Sequence, residues 1–444
     1  MLRSLASLAV PSIVSQLIIL IYNLADTFFI GRTGNPLMVA GASLILPVFN
    51  VSISLASIAG EGGASLISRL LGSDNYEEAG KVSSFSFWLT VLIAALFSSL
   101  TYAFLDPLLR LLGASGDTLL YARQYTLCVI VGGGIPTVVS MSLGRLLRGA
   151  GKAKLAGFGV SMGGILNIAL DPLFMFVLLP EGCEILGAGI ATMLSNVIVC
   201  IFFLINIFSM RRTSVLSLSP LKGLPVKASV ASIFAVGVPA AIGTLLFDLD
   251  YVVIDRLMAG YSDVALAAIG IVLKAERLPL NIGVGLCIGM APLIGYNYAA
   301  GNHERVRKTI NCARLTGICI GLVSITLYEI FAPQIMTIFI PDAETVRIGT
   351  SFLRIRAAAT VFMFLCFVIV HVFQAIGKGG YAFWLQVLRW AVFNIPMLFI
   401  LNKAFGMYGI TASQAVCDTC VAAISQLVYR LYRKRRLAQA PAEA

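Results

Sequence analysis

The sequence predicts an all-α integral membrane protein, with twelve transmembrane helices in two six-helix lobes related by a pseudo-two-fold axis along the membrane normal. Three observations carry that expectation. The 444 residues are 59% hydrophobic and only 12% charged, with a mean hydropathy of +0.93, whereas an ordinary soluble domain is about 25% charged. Apolar stretches of roughly 20 residues, the length that crosses a hydrocarbon core as a helix, recur along nearly the whole chain. Basic residues crowd into alternate gaps between them.

In chain order, the apolar cores run over about 8–30, 38–66, 84–105, 121–143, 156–179, 187–209, 229–254, 264–297, 311–332, 350–376, 381–402 and 407–429. The gaps are too short to hold a soluble domain. The opening "MLRSLASLAVPSIVSQ" lacks a secretory cleavage pattern and leads into an apolar run too long for a removable signal, so the first span reads as an uncleaved anchor. The nine cysteines are an odd number and fall mostly within apolar segments, which argues against a disulfide framework. Cys417 and Cys420 form a C-x-x-C within a predicted span, where buried thiols are the simpler reading.

The net charge of +11 is explained by topology. With the N-terminus cytoplasmic, the alternating loops assigned to that side carry 20 Lys and Arg residues and the opposite loops carry five, Arg32, Arg110, Arg256, Arg347 and Lys403. That bias is the positive-inside pattern. It predicts a multi-pass protein of the cell inner (cytoplasmic) membrane with both termini cytoplasmic, in contact with membrane lipids, and it leaves no basic footprint for nucleic acid.

An internal repeat divides the chain. "YNLADTFFIG" (22–31) returns as "YVVIDRLMAG" (251–260), so that Tyr22, Asp26 and Gly31 meet Tyr251, Asp255 and Gly260 at an offset of 229. Gly41, Gly60 and Gly72 meet Gly270, Gly289 and Gly301 at the same offset, and Gly151 and Lys152 meet Gly377 and Lys378 at 226. Six spans per half is an even number, so both halves enter the membrane from one side, as parallel repeats do. The predicted organisation is an N-lobe at 1–210, a cytoplasmic inter-lobe loop at 211–227, a C-lobe at 228–432 and a basic tail at 433–444. Seams between such repeats are where transporters hold their substrates.

The informative residues are the polar ones inside spans. A charge such as Asp26 costs about 2.5–3.5 kcal/mol to bury on insertion scales, so it should face protein or water. Tyr22 lies one turn earlier on the same face, able to donate its hydroxyl to that carboxylate. In "NIALDPLFMF" (167–176), Asn167 and Asp171 share a face, and Pro172, lacking an N–H, frees the carbonyl of Ile168. Neighbouring carboxylates repel, and such a pair can hold a proton or sodium and release it. Thr192 could add a hydroxyl. The plainer alternative is that these groups pin helices together. In the second half, Asp248, Tyr251 and Asp255 share one face with Asp250 off it, and Asp255 beside Arg256 also fits a solvated pair. Glu276, between Lys274 and Arg277, suggests mutual neutralisation of neighbouring charges. His371 is a lone histidine in an apolar run, structural or proton-linked. Glu61 sits among small residues, in "GEGGASLISRLLG", where helices can approach closely. No His/Cys cluster has zinc spacing, and "GRLLRGAGKAK" lacks the P-loop spacing. No cofactor is therefore expected beyond a coupling ion, H⁺ or Na⁺.

Together, "LADTFFIGRTG", "GGASLISRLLG", "LRGAGK", "NIALDPLFMF" and "FLRI" (352–355) resemble, in that order, the multidrug and toxic compound extrusion (MATE) family, and most closely its DinF-like branch. The resemblance spans essentially the whole chain. It implies a cation-coupled antiporter, not an enzyme, that exports amphipathic and often cationic compounds through a cavity between the lobes and acts as a monomer. It also implies a cation site built from Tyr22, Asp26, Asn167, Asp171 and Thr192, with Asp26, Asn167 and Asp171 as the ligands if the ion is Na⁺. The NorM-like branch relies instead on acids of its seventh and tenth helices. Here the tenth span offers His371 and no acid, so Asp248, Tyr251, Asp255, Glu276 and His371 are candidates only for a C-lobe cavity or coupling role. The rival readings are a lipid-linked oligosaccharide flippase of the same superfamily, for which a basic cavity is expected, and an intramembrane lipid-modifying enzyme, for which Asp-rich metal motifs are expected.

Overall fold

The computed structural model describes residues 2–439, with side chains to 435; the last residues of the predicted basic tail, 440–444, lie outside it. Among the described residues the regular elements are all helical. In the first half they are α1 (Leu2–Arg32), α2 (Pro36–Gly72), α3 (Tyr76–Ala103), α4 (Leu105–Leu111), α5 (Asp117–Thr126), α6 (Gly134–Gly149), α7 (Ala153–Leu173) and α8 (Glu184–Ser209). In the second half they are α9 (Lys227–Ala259), α10 (Asp263–Ala299), α11 (His303–Phe339), α12 (Ala343–Ala357), α13 (Thr360–Ala375), α14 (Gly379–Val387) and α15 (Ile395–Gln439).

Among the described residues nine stretches are long and apolar enough to span on their own, and the bent pairs α5–α6 and α12–α13 make two more. The last of the nine, Gly379–Arg435, is 57 residues long and would measure about 85 Å at ~1.5 Å per residue. It is two spans. Gly406 has φ 60° and ψ −142°, and the chain doubles back there, bringing Arg389 against Asp418 and Asn394 against Gln414. Twelve crossings result.

Two spans are bent. The predicted run 121–143 is broken by a π-helical stretch, Leu127–Gly132, and bends by 49° on entering α6. The predicted run 350–376 bends by 45° between α12 and α13. Both bends fall in the fourth span of a half, so the repeat extends to its irregularities. The fifth span of each half also contains a π-helical stretch, at its end in the first half (Phe174–Leu178) and within it in the second (Leu388–Asn394).

The repeat is clearest in one turn. Gly151 and Gly377 both have φ 76°, in the left-handed region that glycine enters without a Cβ penalty. In both turns the following lysine N–H bonds back over the helix end, Lys152 to Leu147 O and Lys378 to Phe373 O, each at 2.8 Å. This is the Schellman arrangement, built twice from matching sequence.

The two halves meet through α2 against α9, α1 against α10 and α2 against α10. Small residues set the distance. A side chain on Gly237 would collide with the backbone of Ile58, and one on Gly62 with the backbone of Ile233. A Cβ on Gly285 would lie 2.6 Å from Ile13 Cα. Such close backbone approach is how helices associate where lipid removes the hydrophobic driving force. Ser65 Oγ donates to Gln374 O at 2.6 Å, and Arg69 Nη2 donates to Ser232 Oγ at 2.8 Å, tying the halves together. These contacts all lie in the helix halves nearest the chain ends. The segment between the halves is fastened across α3: Ser84 Oγ and Trp88 Nε1 donate to the carbonyls of Ser219 and Leu218, and Val226 N donates to Glu78 Oε1.

Candidate ion-coupling site

Asn167 organises the first cluster. It lies on α7 one turn before Asp171, and both are buried, at 4% and 0% exposure. Its amide nitrogen donates to Asp171 Oδ1 and to Thr192 Oγ1 of α8, each at 3.2 Å. Thr192, the least secure member on sequence grounds, is therefore held in the cluster. Across from it stand Tyr22 and half-buried Asp26 of α1. Gly164 lets α1 approach, since a Cβ there would lie 2.7 Å from Ile18 Cγ2 and 3.1 Å from Tyr22 Cδ1. Pro172 follows Asp171 in the last residues of α7, which ends at Leu173, and the wider π-helical turn begins at Phe174.

One contact that the sequence allows is absent. Among the described residues no side-chain hydrogen bond joins Tyr22 to Asp26, because the Tyr22 ring is directed onto α7 at Gly164. Asp26 Oδ1, Asn167 Oδ1 and Asp171 Oδ2 are instead buried oxygens with no hydrogen-bond partner. Buried polar atoms are nearly always paired, so three unpaired acceptors in one cluster mark a place suited to a proton or a cation. Tyr125 of α5, at 7% exposure, packs on α8 one turn from Thr192, where a Cβ at Gly189 would lie 3.5 Å from its Cδ2. No sequence signal pointed to it, since it follows no motif and its span carries no acid beside it.

The second half is arranged differently from the expectation. Asp250, read as off the functional face, is the buried acid of α9 at 1% exposure. It accepts from Asn394 Nδ2 at 2.6 Å. Asn394 also donates to Gln414 Oε1 at 3.3 Å, Gln414 Nε2 donates to Asp418 Oδ2 at 2.9 Å, and Asp418 Oδ1 pairs with Arg389 Nε at 2.7 Å. Asp255 is exposed, and Asp248 is half-buried. Glu276 is not neutralised by its sequence neighbours: its partner is Arg356 Nε at 2.8 Å, while Arg277 lies over the Tyr251 ring, 5.3 Å from its centroid. Tyr251 and Glu276 share a small cavity wall with Arg356 and Arg389. His371 is separate from both clusters, its Nδ1 2.9 Å from Phe367 O. Among the described residues no group of three or more His, Cys, Asp or Glu could hold a metal ion, and the nine cysteines are free.

Twelve crossings in two repeated halves, sealed against each other at one end and carrying an intramembrane carboxylate pair, define a membrane transporter with two lobes. The comparisons agree. The family model described as MatE matches residues 11–173 and 239–400. The multidrug export protein MepA of Staphylococcus saprophyticus is 29% identical over 433 residues, covering 98% of this chain and 94% of that protein. MepA of Staphylococcus aureus strain NCTC 8325 is 28% identical over the same length and coverage. Among solved structures, the Vibrio cholerae MATE transporter VcmN, in a point-mutant form, matches with a TM-score of 0.92 at 21% identity, covering 98% of this chain and 97% of that one. A structure described as the outward-facing conformation of a multidrug resistance MATE family transporter of the MOP superfamily matches with a TM-score of 0.91 at 24% identity, covering 97% and 95%. The chain belongs to the MatE family. It is a multi-pass membrane transporter, not an enzyme.

Proposed function

We propose that the protein is a DinF-like antiporter that exports small amphipathic, often cationic compounds, with Asp26 and Asp171 carrying the coupling ion, H⁺ or Na⁺. The observation that carries this reading is the set of three unpaired buried oxygens, Asp26 Oδ1, Asn167 Oδ1 and Asp171 Oδ2. Carboxylate and amide oxygens suit a proton or a hard cation. Their division between α1 and α7 means that occupancy changes how these helices attract or repel each other. Thr192 and Asn167 hold Asp171 in place, and Tyr22 and Tyr125 close the cluster.

The basic loops and both termini face the cytoplasm of a cell whose inner membrane holds the protein, and the sealed end of the seam is cytoplasmic. The lobes then part toward the outside. An ion entering from outside neutralises the aspartate pair and favours release of the exported compound. Each unit charge moved inward contributes about 2.3 kcal/mol per 100 mV, a concentration ratio of roughly fifty-fold at RT of about 0.59 kcal/mol. The names of the MepA relatives support export of several drugs rather than one nutrient.

The test is efflux of a fluorescent cationic dye from proteoliposomes under a separately imposed pH or sodium gradient, with Asp26→Asn and Asp171→Asn beside the wild type. One gradient should drive efflux, and both substitutions should abolish it while dye binding persists. Variants that pump normally would remove the aspartates from the mechanism and shift attention to the Asp250–Asp418 network.

A further inference from the structure

At the sealed end of the seam the structure contains a cavity of ≈ 30 Å³ whose walls include Glu61, Ser65 and Ser68 of α2, Arg145 and Arg148 of α6, and His371 of α13. Its charges do not balance. Arg145 Nε pairs with Glu61 Oε1 at 3.1 Å, and Glu61 is the only acid among the lining residues. Arg148, only 7% exposed, has one recorded side-chain hydrogen bond, from Nη2 to Ser15 Oγ at 3.4 Å. Arg145 Nη1 and Arg148 Nε are buried donors without a partner.

A guanidinium in a protein does not shed its proton, so two arginines against one glutamate leave an excess of one positive charge, with Arg148 the buried member. An uncompensated buried charge is expensive. His371 cannot offset it. Its Nδ1 lies against the Phe367 carbonyl, which only accepts, so Nδ1 carries the hydrogen and protonating the other nitrogen would add positive charge. The Ser65 hydroxyl hydrogen is committed to Gln374 O. The donors left over are on the Arg145 and Arg148 guanidinium groups, with the Gln374 amide beside them. Their placement is built in: Gly60 leaves room for Arg145 to lie across α2, where a Cβ would come within 2.9 Å of Arg145 Cδ.

We propose that this cavity binds a small monovalent inorganic anion of the halide class, chloride in the cell, held by the guanidinium groups of Arg145 and Arg148. A space of this size takes one such ion or about two waters. The ion brings the Glu61–Arg145–Arg148 group to neutrality. The walls come from both halves of the chain, so anion binding is linked to closure of the seam at this end.

The purified protein in detergent is titrated with sodium chloride, sodium bromide or sodium gluconate at constant ionic strength while the thermal unfolding midpoint is followed. Chloride and bromide should raise it saturably, by about 2 °C or more, and gluconate should not. Arg148→Gln balances the charge without an ion and should lose the halide response. Crystals of the wild type grown in bromide should show an anomalous peak in the cavity, a readout that does not depend on the variant folding. A midpoint that follows ionic strength whatever the anion, or a cavity without a bromide peak, overturns the proposal and leaves water as the occupant.

Discussion

Asn167 donates to Asp171 Oδ1 from one helical turn away, at 3.2 Å, and bridges to Thr192 with the same amide nitrogen. This contact aims the carboxylate. It leaves Asp171 Oδ2 and Asn167 Oδ1 unpaired, so the amide orients its neighbour without occupying its ion-facing oxygen. Asn167→Leu removes the donor and leaves Asp171 buried without its partner. Hydrogen bonds to a charged group contribute about 1.5–3 kcal/mol, so ion-driven efflux should fall roughly 10- to 100-fold. Asn167→Asp adds a third carboxylate, which raises the site's affinity for a cation, and should lower the external proton or sodium concentration needed for half-maximal efflux. Transport assays across a gradient series separate the two effects. Unchanged transport in Asn167→Leu would make the contact incidental.

The approach of α1 to α7 depends on Gly164. A Cβ at this position would press on Ile18 Cγ2 and on the Tyr22 ring, and larger side chains would force the helices apart. Overpacking of this kind destabilises by about 1–3 kcal/mol. Gly164→Leu should lower the unfolding midpoint and uncouple transport, because Asp26 and Asp171 sit on the helices it separates. Gly163→Leu, one position away, presses on Val199 of α8 instead and is the control: it should disturb stability while leaving the α1–α7 spacing intact. Equal transport defects in the two variants would remove the special role given to Gly164.

The first half was more legible in the sequence than the second, for a physical reason. Asp26 and Asp171 stand alone in apolar runs, and Asn167 reaches Asp171 at a spacing of four, which a helix places on one face. Local rules are enough to assemble them. Asp250 is different: its partner Asn394 is 144 residues away, and the Arg389–Asp418 pair forms only because Gly406 folds the last two spans against each other. A face count along α9 selects Asp248, Tyr251 and Asp255 and misses the buried acid between them. Glu276 gave the same difficulty, since Lys274 and Arg277 are near in sequence while its partner Arg356 is 80 residues on. The apolar runs revealed twelve crossings, but hydropathy carries no information about bends, and the kinks ahead of α6 and α13 were not anticipated.

The glycine contacts across the seam make a conformational prediction. Gly237 and Gly62 each meet backbone of the opposite half, where no side-chain rotation can relieve a clash. Gly237→Leu should therefore weaken closure at the end nearest the termini and shift the population toward the alternative opening. Spin labels placed on α2 and α9 near that end would report it as a longer distance and a broader distribution in a double electron–electron resonance experiment. A distribution identical to that of the wild type would mean that the seal is set elsewhere, for example by Ser65 and Arg69.

The Arg389–Asp418 pair allows the second-half network to be tested apart from the first. Both side chains are almost fully buried, at 3% and 1% exposure, with 2.7 Å between Nε and Oδ1. Arg389 also lies over Trp390 and Phe367, 4.3 and 4.6 Å from the ring centroids, so its flat cation is packed as well as paired. Removing one member strands a buried charge, and such losses run to about 3–5 kcal/mol. Replacing both by apolar residues of similar volume removes the charge together with its desolvation and is often close to neutral. Arg389→Met and Asp418→Leu should each lower the unfolding midpoint sharply, and the double variant should recover most of the loss. If the network serves only to pin the last hairpin to α9, the double variant will also transport with the wild-type gradient dependence. A stable double variant that has lost ion-driven efflux would instead place Asp250 and Asp418 in the coupling mechanism alongside Asp26 and Asp171.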